Sequence, residues 1–186
     1  MTRNLLIALT MSAALAAPLA AQAQSTVTAN VGGEVEKLCD MGSPTTATLE
    51  LGDLTGSDGR LLPALAGSQA MTTTIEGAWC NTPSTLKLDG VPMGLTVVPA
   101  YGAPAGFSRL VTYNATLTGW PSPLVYRPMP GGTAPTTDAD RAHADTLLLA
   151  ISNLAPLDGA GAAEAPLNVL EAGDYKGSVT VSVSVQ

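Results

Sequence analysis

One phenylalanine, one histidine and two cysteines stand among 186 residues, and each scarcity excludes a class of chemistry. Zinc and haem sites draw on several Cys or His ligands. With only His143, Cys39 and Cys80 to offer, the chain is expected to hold no metal and no cofactor. A serine nucleophile needs a positioned base. His143 sits in Asp138-Ala139-Asp140-Arg141-Ala142-His143-Ala144-Asp145, which reads as a solvated loop or the approach to a strand. The carboxylates of that segment lack the glycine and terminal glutamate of a calcium loop. Nothing fixes a separation for Asp53 and Asp58, or for Glu34 and Glu36, as glycosidase pairs require. No catalytic residue is assigned, and the chain reads as a non-enzyme. Basic residues are also few: 8 Lys and Arg against 15 Asp and Glu give a net charge of −7. That balance argues against nucleic acid and anionic membranes as partners, since both need basic patches.

Long apolar runs are missing except at the start. Residues 5–17 are apolar, preceded by Arg3 and followed by Pro18 and the small-residue site Ala21-Gln22-Ala23. The run is too short to span a bilayer, which takes roughly 20 helical residues. The pattern is that of a secretory signal peptide cleaved before Gln24. Loss of Arg3 makes the net charge one unit more negative. Residues 24–186 then suffice for one domain with a real core. In an oxidising compartment Cys39 and Cys80 are expected to form a disulfide.

What the chain has in plenty is glycine, with 19 residues, and proline, with 14. They fall between short alternating runs and read as turns, because apolar alternation resumes after each. The runs are 35–39, 45–51, 71–78, 85–88, 95–98, 110–117, 147–151 and 179–185, preceded by 25–31. This is the pattern of an all-β sandwich. No stretch has a convincing helical period with caps; residues 138–149 come nearest.

The two terminal runs share a property. Residues 178–186 place Val179, Val181, Val183 and Val185 on one face and Thr180, Ser182 and Ser184 on the other. Residues 25–31 place Val27, Ala29 and Val31 on one face and Thr26, Thr28 and Asn30 on the other. Neither has a partner next to it in sequence. Either the two pair within one molecule and complete a sandwich, or each pairs with another chain. Gly32 and Gly33 follow the first of them, as a hinge or as a point of close backbone approach. The hinge fits better, because Glu34, Val35 and Glu36 begin a new alternation.

Residues 99–144 carry Tyr101, Phe107, Tyr113, Trp120 and Tyr126 among many prolines and glycines. Core filling with rigid loops accounts for them. Aromatic loops also make ligand surfaces for sugar stacking, which names Trp120 and Tyr126 as candidates. Asn114-Ala115-Thr116 fits a glycosylation acceptor, a pattern too short to carry weight.

Four stretches resemble one family. They are the segment up to Leu38-Cys39; Leu49-Glu50-Leu51-Gly52-Asp53-Leu54-Thr55-Gly56; Thr72-Thr73-Thr74-Ile75-Glu76-Gly77-Ala78-Trp79-Cys80; and Leu170-Glu171-Ala172-Gly173-Asp174-Tyr175-Lys176-Gly177 before the final strand. All are similar to spore coat protein U, or Csu-type, pilins, and the Gly-Asp-Tyr lead is the most specific. Leu51-Gly52 departs from the Phe-Gly of many relatives, and residues 99–144 match nothing in the family.

The resemblance implies an immunoglobulin-like β-sandwich lacking its last strand, completed by donor-strand exchange in the archaic chaperone–usher pathway. Its organisation would be a signal peptide (1–23), a donor segment (24–33) and a pilin domain (34–186). Val27, Ala29 and Val31 would enter a neighbour's groove, and Val179, Val181, Val183 and Val185 would line the acceptor strand. The implied partners are a periplasmic pilus chaperone, an outer-membrane usher and identical or related pilin subunits. The implied location is a pilus on the cell surface, serving attachment or biofilm formation. The alternative is a secreted or pilus-tip carbohydrate-binding adhesin using Trp120 and Tyr126.

Overall fold

In a computed structural model of the protein, residues 32–43, 47–67 and 71–186 are described. The chain divides into two units between Val35 and Glu36. Of the first unit, Gly32, Gly33, Glu34 and Val35 are described, all exposed and outside any strand.

The second unit is almost entirely β. Its strands are β1 (Cys39–Asp40), β2 (Met71–Cys80), β3 (Ser84–Leu95), β4 (Phe107–Ser108), β5 (Leu110–Thr118), β6 (Leu124–Tyr126), β7 (Thr136–Ala139), β8 (His143–Pro156), β9 (Val169–Leu170) and β10 (Tyr175–Val185), with one short helix, α1 (Pro63–Ala66). Eight strands form one antiparallel sheet in the order β1-β2-β8-β5-β3-β10, with β6 added to β5 and β7 to β3. A separate parallel pair joins β4 and β9. One edge of β3 serves β7 at Ser84 to Lys87 and β5 at Met93 and Gly94, so the sheet turns a corner along this strand. It folds back on itself around a single core.

Alternation builds that core, and three bulges reset its phase. Along β2 the half-buried residues are Met71, Thr73 and Ile75, after which Ala78 and Cys80 are buried. The phase changes where Ile75 to Ala78 faces only Leu147 to Asp145 of β8, at the positive φ of Gly77. On β3 it passes from Leu86 and Leu88 to Met93 and Leu95, where Val91 to Gly94 faces Ser178 to Lys176 of β10. On β8 it passes from Leu147, Leu149 and Ile151 to Leu154, where Ser152 to Ala155 faces Asn114 to Thr112 of β5. One extra residue per bulge moves the inward set by one position, because the side-chain period of a strand is two. Pro92 lies inside the β3 bulge, where a missing N–H costs no ladder bond.

Cys39 and Cys80 form the expected disulfide, as direct cross-strand partners of β1 and β2 separated by 41 residues in sequence. Asn81 braces the same junction. Its Oδ1 accepts from the Leu38 amide at 2.8 Å, and its Nδ2 donates to the Glu36 carbonyl at 2.7 Å.

Several sequence expectations change. Residues 138–149, the nearest to a helix, form the end of β7 and the start of β8, where the chain returns to pair with β2. The run at 35–39 yields only the two-residue β1, and residues 47–51 lie outside any strand while Leu49 and Leu51 pack at the core margin. Residues 95–98 do not form a strand of their own: Leu95 ends β3, and Val97 and Val98 are exposed. Trp120 and Tyr126 are 6% and 7% exposed, which corrects their reading as a ligand surface. Tyr126 ends the short β6 strand paired to β5, and the Trp120 ring packs edge-on against His143 at 4.6 Å. A ring buried in the core has no face left for a sugar.

Candidate functional site: the open edge of the last strand

β10 runs beside β3 from Tyr175↔Leu95 to Val185↔Ser84. Val181 stands opposite Leu88 and Val183 opposite Leu86. Directly opposed residues of an antiparallel pair share a face. Leu86 and Leu88 are 1% and 0% exposed, so the valines point at the same core. Yet Val179, Val181 and Val183 remain half-buried, and Val185 is 44% exposed. The reason is topological: β10 ends the sheet, and among the described residues its second edge pairs with no strand. At the other end of the sheet the outer edge of β2 is paired at Glu76, Trp79 and Cys80. From Met71 to Ile75 that edge has no partner among the described residues, and Ile75 is half-buried. β1 approaches β10 where the Lys37 ammonium donates to the Gln186 carbonyl at 3.3 Å. The sheet is therefore nearly closed at one end and open along the rest of β10.

An edge strand presents alternate N–H and C=O groups without partners, and proteins usually blunt such edges with charge, proline or brevity. Residues 178–186 contain no charged residue and no proline. The remaining edge elements are short, β6 with three residues and β7 with four. Among the described residues the longest edge left without a partner is that of β10; the open stretch of β2, Met71 to Ile75, is about half as long.

Its leading end is firmly anchored. Tyr175 donates its hydroxyl hydrogen between the carbonyls of Glu171 (2.9 Å) and Ser108 (3.1 Å). Beside it the Arg109 and Glu171 side chains, 13% and 11% exposed, form an ion pair at 2.9 Å. Arg109 also donates to the Tyr101 carbonyl at 2.6 Å. Where β3 bulges, the Tyr113 hydroxyl lies 2.9 Å from the carbonyls of both Val91 and Ser178, bridging β3 and β10. Gly90 makes this approach feasible, since a Cβ there would lie 2.8 Å from the Ser178 carbonyl oxygen.

Burial pushes the Tyr113 hydroxyl up to about 12, and burial together with the nearby Glu171 charge does the same for Tyr175. Both values lie above the usual 10 of an unfolded tyrosine, so the folded state holds the proton more tightly. The resulting stability is fully present below pH 10 and is lost as pH rises toward 12. Alkaline unfolding is thus expected to begin in that window. Tyr113→Phe should flatten its pH dependence and weaken the domain by about 0.5–1.5 kcal/mol, as measured by denaturant titration, because the hydrogen bond that the buried hydroxyl shares between two carbonyls is lost.

The other expected site residues fall as follows. Val27, Ala29 and Val31 lie outside the described residues. Gly32 and Gly33 are exposed, with nothing within 4 Å of where a Cβ would stand, so no close contact requires glycine at either position. Asn114 of the glycosylation pattern lies within β5, its Oδ1 accepting from Arg127. His143 Nε2 lies 3.4 Å from the Gly119 carbonyl. Among the described residues no group of three or more His, Cys, Asp or Glu side chains is placed to hold a metal ion. None of their helices is long and apolar enough to cross a membrane. The buried Arg109–Glu171 pair was not foreseen; Glu171 stands in the stretch leading to Gly173-Asp174-Tyr175, but nothing in the sequence marks Arg109 as its partner. Comparison with known proteins found no matching family model and no matching curated protein.

Proposed function

We propose that the protein is a structural pilus subunit of the chaperone–usher type, an immunoglobulin-like sandwich lacking its last strand that polymerises by donor-strand exchange. The observation that carries this reading is the β10 edge: long, uncharged from Ser178 onward, without a strand partner among the described residues, and backed by half-buried valines. An added strand would satisfy the open backbone groups and cover Val179, Val181 and Val183. Residues 25–31 have the matching alternation, and burying Val27 and Val31 would contribute roughly 1.5–3 kcal/mol each, with less from Ala29. A contact between the front of one subunit and the back strand of another is heterologous, so it propagates into an open filament. Exposed edges of this kind also pair prematurely, which calls for a periplasmic chaperone before assembly at an outer-membrane usher. Attachment of cells to surfaces is the service such a filament provides. A tip adhesin stacking sugars on Trp120 and Tyr126 is disfavoured by the burial of both rings.

The test is complementation in trans. A synthetic peptide of residues 24–33 should raise the melting temperature of a chain lacking residues 1–31, and the increase should grow with the logarithm of peptide concentration. A peptide with Val27 and Val31 changed to Asp should give no shift. If both peptides are inert at millimolar concentration, the open edge is not an acceptor and the proposal fails.

A further inference from the structure

A second feature lies beside β5 and β8, strands that do not pair with β10. The bulge at 152–155 turns Asn153 to a φ of +49°, the one positive φ of a non-glycine residue among those described. Beside it is a shallow hollow of about 480 Å³, with Leu154 and Pro166 among its apolar residues and Asn114, Arg127, Asn153 and Glu164 as its polar ones. That volume falls in the range of small-ligand sites.

Three of the polar side chains are held against one another before any ligand arrives. Arg127 Nε pairs with Glu164 Oε1 at 2.6 Å, while Nη1 donates to Asn114 Oδ1 at 2.7 Å and to the Asn153 carbonyl at 3.0 Å. With its Oδ1 taken, Asn114 has its amide hydrogens to offer. Asn153 uses only its backbone, since its N–H donates to the Gly67 carbonyl at 3.1 Å and its carbonyl accepts from Arg127. Glu164 keeps a second carboxylate oxygen. The hollow therefore presents amide donors and a carboxylate acceptor beside the exposed Pro166, with Asn114, Arg127 and Glu164 tied to one another and the Asn153 side chain left free.

Charge decides what fits. Glu164 sits against Arg127 and cancels it, so a phosphate or carboxylate would meet a neutralised guanidinium and a repelling carboxylate. Hydroxyl groups donate and accept at once, and suit amide donors next to a carboxylate. The C–H face of a pyranose suits the exposed Pro166. From this geometry we infer that the hollow at Asn114, Arg127, Asn153 and Glu164 is a binding site for a neutral saccharide unit. This stands apart from the polymer reading, because it uses neither the β10 edge nor residues 24–33.

Saturation-transfer NMR on the full chain, which tolerates large assemblies, should detect glucose, mannose, galactose or a neutral disaccharide of these, with affinities then read by isothermal titration. Sialic acid and inorganic phosphate should bind at least tenfold more weakly. Asn153→Gly keeps the positive φ and both backbone bonds while removing the side-chain amide, so it should fold normally and lose about tenfold in affinity. Glu164→Gln should weaken the sugar and admit phosphate. The inference is overturned if no neutral sugar gives a saturable signal, if Asn153→Gly binds as tightly as the parent chain, or if phosphate or sialic acid binds the parent as well as the sugar does.

Discussion

Deletion of residues 24–31 is expected to abolish the ladder of detergent-resistant oligomers while leaving residues 36–186 folded. Under the proposal every link in the filament consists of one such segment laid along one β10 edge. The deletion removes the donor and leaves the acceptor untouched, because the edge is built by β3, β10 and the bridging Tyr113. The two donor valines together represent roughly 3–6 kcal/mol of apolar burial. That corresponds to about two to four decades in association constant before any backbone bond is counted. Val181→Asp makes the reciprocal lesion. It places a carboxylate on the face opposite Leu88, where an incoming strand would bury it unpaired, while keeping the donor intact. Each variant alone should stay short of a ladder. Mixed together they should yield a capped dimer and nothing longer, since one supplies only a donor and the other only an acceptor. Gel electrophoresis without boiling reads all three outcomes, and a full ladder from the truncated chain would end the proposal.

Replacing Cys39 and Cys80 together by alanine should lower stability by roughly 4 kcal/mol, the loop-closure contribution expected for a crosslink spanning 41 residues. For a domain of this size that is a fall in melting temperature of about 8–16 °C. The loss is concentrated at the sheet edge, because β1 has only two residues and is otherwise held mainly by Asn81. Thermal melts with and without dithiothreitol provide the check. The parent chain should drop to the level of the variant in reductant, and the variant should ignore it. A reductant-insensitive parent would mean that the crosslink contributes little beyond the pairing it accompanies.

The sequence made the class of fold and the disulfide legible, along with the cores of β2, β3, β5, β8 and β10. It failed where alternation changes phase. The runs ending at 88 and 151 stop next to bulges, after which the chain continues as the same strand with the opposite residues turned inward. Asp89-Gly90-Val91-Pro92 reads as a turn by composition, yet Gly90 serves close approach to Ser178 and Pro92 occupies the bulge. β7, with the sequence Thr136-Thr137-Asp138-Ala139, has too little apolar character to announce itself and exists because Ser84 to Lys87 offers it an edge. The open edge of β10 was legible as a strand without a neighbour. Its half-buried valines were not, since only the sheet order shows that the strand is terminal. The hollow at Arg127 was illegible too, because the bulged β5–β8 pairing brings Asn114 and Asn153 together and Arg127 and Glu164 reach them from segments outside both strands.

The pairing of β3 with β10 also bears on how the molecule acquires its shape. Thr85 and Ser184 lie 99 residues apart in sequence, yet they sit side by side. Loop closure over such a span is slow, and the intervening strands gain little until it happens. A nascent chain cannot lock its core until nearly all of it has been made. It therefore stays unfolded, and most exposed to aggregation, until synthesis is nearly complete, the interval in which a folding helper has the greatest effect.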